Sequence, residues 1–201
     1  MSTNMVVSLK CPVCQVNLEG ENNSKVFFCY TCNKGYNVSE DKLHPFELFY
    51  INPKEIKEMA QVYFPFWQFE SRYALQGHDV AAGSTTGDYM NSGIFYVPAF
   101  FIKNINYFGD IGFYYFKNSV VLNPGKRQNL TVFPADRDVN RAAQYPYIYM
   151  CKAHLKDGKG EVTDVVMKHQ KASLVLVPFY KTGSYFYDSI ISWKYPSGAL
   201  I

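Results

Sequence analysis

Apolar and polar residues alternate along Val62–Leu75, which places Trp67 and Phe69 on one face of an extended segment and a mixed set on the other. Such alternation is the pattern of a half-buried β-strand. Aromatic and β-branched segments separated by Gly-containing turns predict further strands towards the C-terminus. These predicted strands are Tyr147–Leu155, Glu161–Lys168, Ser173–Tyr180 and Tyr185–Tyr195. The pattern therefore predicts an antiparallel meander in the second half of the chain.

Other segments have patterns that predict helices, and one segment fits both the helical and the strand period. Pro53–Gln61 predicts a short helix, because Asn52 can cap it and a proline suits its first position. Asp136–Gln144 predicts a second helix, with an acidic cap at its first residue. Ile94–Asn118 fits both the helical and the strand period, and we assign helix to its first half. Residues 77–93 are rich in Gly, Ser, Thr, Asp and Asn and predict an exposed loop.

The length of 201 residues leaves room for a small N-terminal unit and one larger domain with its own core. We expect a small unit over residues 1–50, a linker helix over 51–61 and an aromatic-rich domain over 62–201. Aromatic residues make up 17% of the chain, which indicates a densely packed body. The longest apolar run, Ile94–Ile102, contains a proline and is far shorter than the roughly 20 residues that span a bilayer. The predicted fold class is α+β.

The N-terminal unit contains two CxxC pairs, Cys11 with Cys14 and Cys29 with Cys32. Two such turns can direct four thiolates at one ion in a closed tetrahedral site, which predicts a structural zinc ribbon. Iron accepts the same four sulfurs, so the metal remains open between zinc and iron. Disulfides are disfavoured because residues 1–7 lack a secretory signal, which favours a reducing cytoplasm. A redox-active motif would normally be a single CxxC at the start of a helix.

Three segments around these cysteines resemble those of the small zinc-ribbon proteins that activate methyltransferases. The segments are Leu9–Cys14, Val26–Cys29 and Cys32–Val38, within about 45 residues at the start of the chain. The resemblance implies the ribbon fold and the four cysteine ligands. In that family an aromatic-Pro-Val strand and an Asp-Gly-Ile-Pro turn follow the second pair, whereas Tyr36–Leu43 has a different sequence here. The partner-activating role is therefore not carried over.

Charge is distributed unevenly between the two expected units. Residues 1–50 carry a net charge of −1, which leaves +4 for the remainder. A ribbon that grips nucleic acid usually presents clustered Lys and Arg to the phosphates, and this ribbon has scattered lysines. The charge therefore favours a ribbon that faces protein. Nucleic acid remains a weaker alternative partner for the chain.

Proline recurs beside aromatic residues at Pro65, Pro98 and Pro178. Because proline cannot donate to a β-ladder, it lies at edges, strand starts or bulges, and three such breaks can shape one groove. We predict a peptide or small-ligand groove with aromatic walls, and the alternative is that these side chains fill a core. The candidate groove residues are Phe66, Trp67, Phe100, Phe179 and Tyr180. The fifth cysteine, Cys151, lies in an apolar stretch and is expected to be an inert core thiol.

These observations leave the function open among three classes. We expect a cytoplasmic adaptor or assembly subunit that acts through protein contacts, with zinc as a structural cofactor. The first alternative is a ligand-binding or enzymatic domain with an appended ribbon, and the second is a nucleic-acid-binding ribbon protein. No catalytic residue is assigned, because the chain has neither the GxSxG motif of a nucleophile elbow nor the Gly-Lys-Ser/Thr of a phosphate-binding loop. Enzymatic activity is therefore undecided and is the less favoured reading.

Overall fold

A computed structural model describes residues 9–54, 57, 59–77, 91–103, 111–126, 131–157 and 162–199. Within these ranges the chain forms one mixed sheet. Its strands are β1 (Val26–Cys29), β2 (Lys34–Ser39), β3 (Lys42–Ile51), β4 (Ala60–Gly77), β5 (Asn91–Pro98), β6 (Pro124–Gly125), β7 (Thr131–Val132), β8 (Val162–Thr182), β9 (Tyr185–Asp188) and β10 (Lys194–Pro196). The helices are α1 (Ile111–Lys117), α2 (Val139–Ala142) and α3 (Tyr145–Asp157), and a 3-10 turn covers Ser197–Ala199. The α+β class is confirmed.

The strand order along the main path is β1-β2-β3-β8-β4-β5. Most neighbouring strands are antiparallel, but β3 runs parallel to β8 and β7 runs parallel to β4. The sheet is therefore mixed, whereas the sequence predicted an antiparallel one. Both parallel pairs join segments that are distant in sequence, as parallel strands require a long connection.

The long central pair of strands, β4 and β8, carries the core on both faces of the sheet. Along β4, Tyr63 and Trp67 pack on one face while Phe64 and Phe66 pack on the other, and all four side chains are buried. Successive side chains of a strand point to opposite faces, so a strand covered on both sides needs apolar residues at almost every position. This burial explains why Tyr63–Trp67 reads as a continuous apolar run.

Strand β3 belongs both to the described part of residues 1–50, which we call the ribbon, and to the main sheet. Its first half, Lys42–Glu47, pairs antiparallel with β2, and Leu48–Tyr50 pairs parallel with β8. The ribbon also touches the body through the backbone N–H of Val26, which donates to the carbonyl of Ala135 at 3.1 Å. The ribbon is therefore joined to the body by a continuous strand, and the domain boundary at residue 50 remains a prediction.

The structure corrects several predicted elements. The first half of Ile94–Asn118 contains β5, and the helix of this segment, α1, lies in its second half. Tyr147–Leu155, predicted as a strand, lies inside helix α3. The helix predicted over Asp136–Gln144 is reduced to α2 and is capped by Asp138, whose carboxylate accepts the N–H of Arg141 at 3.0 Å.

The predicted linker helix Pro53–Gln61 has no helical residue in its described part, and Ala60 already begins β4. Most of the predicted loop over residues 77–93 lies outside the described residues, and residues 91–93 belong to β5. In the part of the chain that the structure covers, no helix combines the length and the apolar character needed to cross a membrane.

Candidate metal centre

The first cysteine pair is held by a tight turn. The backbone N–H of Cys11 donates to the carbonyl of Val16 at 2.8 Å, and the N–H of Gln15 donates to the carbonyl of Cys11 at 3.0 Å. Gln15, directly after Cys14, adopts a left-handed conformation with φ of 62°. This turn, which we call the first knuckle (residues 11–16), presents both cysteine side chains to the same side.

The second pair occupies the turn between β1 and β2. Cys29 ends β1 opposite Lys34, which begins β2. Asn33, directly after Cys32, also adopts a left-handed conformation, with φ of 51°, and its side-chain carbonyl accepts the hydroxyl of Tyr50 at 3.3 Å. Asparagine tolerates this region better than most residues. The two cysteine pairs therefore share one local geometry, with a left-handed residue after each second cysteine.

The four sulfur atoms converge on one point. All four Sγ atoms lie within 4.8 Å of one another. The Sγ atoms of Cys11 and Cys32 are 3.9 Å apart, and those of Cys14 and Cys29 are 3.5 Å apart. A tetrahedral ion with Zn–S bonds of about 2.3 Å separates its sulfurs by about 3.8 Å, whereas a disulfide needs about 2.05 Å. The cysteines are free thiols with metal-ligand spacing, so the predicted ligand set can hold a metal ion.

The pKa values of the cysteine thiols are shifted in different directions. Burial raises the pKa of Cys11, but hydrogen bonds from the Tyr36 hydroxyl at 3.3 Å and from the backbone outweigh it and bring the value to about 6. A hydrogen bond with Cys14, together with burial, raises the pKa of Cys32 to about 12. Burial also raises the pKa of Cys29. Sulfurs this close cannot all ionise unless a cation neutralises them, which is what a bound metal ion supplies.

The five candidate groove residues lie in the core. Phe66, Phe100 and Phe179 belong to one buried cluster, and Trp67 belongs to the cluster on the opposite face of the sheet. Tyr180 is 2% exposed, and each of the other four is exposed by 1% or less. Side chains buried on two faces of a sheet cannot line one open groove, so the structure supports the core-filling alternative. Cys151, expected to be a core thiol, is only half-buried and packs against the edge of the core.

The structure contains a groove that no feature of the sequence predicted. Its volume is about 980 Å³, and it is formed by residues 51–54, the C-terminal end of α1, residues 120–123 and residues 190–193. Four segments from distant parts of the chain meet there, so no local motif signals it. Trp193, an aromatic residue beside a polar turn, could have indicated the groove. The sequence instead placed Trp193 within the predicted strand Tyr185–Tyr195.

Comparison of the chain with protein-family models, with curated proteins and with solved structures finds no match. The assignment of the metal centre therefore depends on the geometry of the four cysteines and on the chemistry of thiolate ligands.

Proposed function

We propose that the four cysteines hold one structural zinc ion. The observation that supports this proposal is the convergence of four Sγ atoms at the spacing of a tetrahedral site. Four thiolates complete the coordination of zinc and leave no open position for a substrate, as in structural zinc sites. Cys11 and Cys29 are fully buried, which removes half of the ligand set from solvent. The ion would thus fix the ribbon and take no part in a reaction.

We propose further that the protein is an adaptor or assembly subunit whose first knuckle contacts a protein partner. Val13 is 72% exposed and Val16 is 43% exposed, and both belong to the knuckle that Cys11 and Cys14 anchor. A metal-fixed turn presents apolar side chains at little entropic cost on binding, because the turn is already ordered. The acidic balance of residues 1–50 suits a protein surface better than a phosphate backbone.

Elemental analysis of the purified protein tests the metal. We expect one zinc per chain, and no zinc in Cys29→Ser, because the remaining three thiolates bind zinc much more weakly. Cys151→Ser is the matched control, since Cys151 lies outside the cluster, and it keeps its zinc. Iron in the wild-type protein would correct the identity of the metal. A wild-type chain folded without any metal would refute the proposal.

Site-specific photo-crosslinking in the source cells tests the docking surface. A photoreactive amino acid replaces Val13 in one variant and Tyr185, an exposed residue at the start of β9, in the control variant. We expect a discrete crosslinked species from position 13 that is absent from position 185 and that disappears when Val16→Asp is added. Equal crosslinking from both positions, with zinc retained in all variants, would contradict the docking role and leave the zinc proposal intact.

A ligand-binding body is a second candidate function, and the large groove between α1 and the turn over residues 190–193 favours it.

A further inference from the structure

The walls of the groove are fixed by hydrogen bonds to the buried part of the body. In the turn over residues 190–193, the backbone N–H of Ile190 donates to the carboxylate of Asp188 at 2.7 Å. The N–H of Asp188 donates in turn to the carbonyl of Trp193 at 2.8 Å. On the opposite wall, the N–H of Leu122 donates to the hydroxyl of Tyr96 at 3.3 Å. Hydrogen bonds within the protein therefore hold both walls of the groove.

One side of the groove is an aromatic platform. Trp193 is 43% exposed, and its ring packs at 84° to the ring of Tyr114, with 4.1 Å between the centroids. The contact with Tyr114 holds the indole in place while part of its surface stays open to the groove. Half-exposed aromatic rings of this kind provide stacking surfaces for planar ligands, and every nucleobase has a face that can stack.

The charged side chains among the described residues that line the groove are both cationic. Lys54 and Lys117 line the groove and are exposed, and no carboxylate is present among its described lining residues. The amide side chains of Asn52, Asn118 and Asn123 add neutral donors and acceptors. Lysine is a compact cation that binds phosphate as a point charge, and amides bind the edges of bases and the hydroxyls of sugars.

We propose that this groove binds a nucleobase that carries phosphate, with the base stacked on Trp193 and the phosphate beside Lys54 and Lys117. This proposal rests on the second candidate function, a ligand-binding body, and names its ligand; the surface differs from that of the zinc and docking proposals. The shared chemistry allows two sources of ligand, a free nucleotide or one segment of a single-stranded RNA. The volume of about 980 Å³ accommodates either.

Intrinsic fluorescence measures this binding directly. The chain has two tryptophans, of which Trp67 is fully buried and Trp193 is exposed in the groove. Stacking of a base on Trp193 should quench its emission in a saturable way. We would titrate the zinc-loaded full chain with AMP, with a short oligouridylate and with inorganic phosphate. Quenching by AMP identifies a nucleotide site, quenching by the RNA alone identifies a strand site, and either result supports the proposal.

Variants assign the binding to the groove. Trp193→Ala should weaken binding about tenfold or more, measured with a fluorescently labelled ligand. Lys117→Glu changes an exposed side chain, so it should keep the fold and also weaken binding, with a smaller salt dependence. The controls are Lys42→Ala, at the first residue of β3, and Tyr185→Ala, at the first residue of β9. No quenching by AMP or RNA, or equal losses in the controls, would overturn the proposal.

Discussion

The buried carboxylate of Asp188 makes the stability of the fold depend on pH. Its side chain is completely buried, and its Oδ2 accepts the hydroxyl of Tyr115 at 2.7 Å. Its Oδ1 accepts the backbone N–H of Ile190 at 2.7 Å and that of Ile191 at 3.3 Å. Burial raises the pKa of Asp188 to about 6, although these hydrogen bonds oppose the shift. Asp188→Asn keeps the shape of the side chain and removes the titration.

The sign and size of the effect follow from proton binding. Between pH 4 and pH 6 the folded protein holds a proton on Asp188 that the unfolded chain has lost, since an unfolded Asp has a pKa of about 3.9. Stability from this group is therefore greatest at low pH and falls as pH rises through about 6. One pH unit is worth about 1.4 kcal/mol, so a rise from pH 5 to pH 7.5 costs the wild-type protein about 1.4 kcal/mol relative to Asp188→Asn.

Urea unfolding of both proteins between pH 5 and pH 7.5, followed by circular dichroism, measures this difference. Every other titrating group is common to the two proteins, so their difference in free energy of unfolding isolates Asp188. Tyr115→Phe is the matched control, because it removes a donor to the carboxylate and should raise the pKa of Asp188 further. A difference that stays constant with pH, or that grows in favour of the wild type as pH rises, would refute the reasoning.

Three further substitutions test the packing described above. Gln15→Gly should stabilise the ribbon by about 0.5–1 kcal/mol in thermal unfolding, because glycine adopts the left-handed conformation without strain; a lower melting temperature would contradict this account. Gly35→Ala should lower the free energy of unfolding by about 1–3 kcal/mol, because the added methyl group overlaps the side chain of Leu174, which lies on β8. An unchanged free energy of unfolding would show that Leu174 can move. Phe64→Ala should lower the free energy of unfolding, measured with urea, by about 3–5 kcal/mol, because Phe64 contacts four aromatic rings. A loss below about 1 kcal/mol would show that neighbouring side chains refill the space. Those rings are Phe100, Phe133, Phe179 and Phe186.

The sequence predicted features that depend on local spacing. The two CxxC pairs identified a ligand set that the structure brings together, because a knuckle needs its two cysteines at a fixed separation. The alternation along Val62–Leu75 identified β4, because the faces of a strand follow directly from a period of two. The turn before β9 was also placed correctly, at Gly183, which has φ of 54°.

The errors arose where two periods competed or where distant segments meet. Helix α3 buries Pro146, Tyr149 and Met150, which have helical spacing, but its β-branched and aromatic residues favoured a strand by propensity. Packing of this segment against the rest of the protein outweighs its strand propensity and favours the helix. The second half of β3 and the groove depend on contacts with residues beyond position 110, and no single segment contains that information.

Because β3 pairs with β8, the end of β3 cannot complete its pairing until most of the chain has been synthesised. Leu48 pairs with Leu174, so most of the chain is translated between the two partners. The ribbon cysteines leave the ribosome before β8 does, and the second half of β3 lacks its β8 partner until that strand is made. Unpaired edges recruit other chains. Translation that stops before residue 174 would therefore release an aggregation-prone fragment, whereas a chain that includes β8 covers that edge itself.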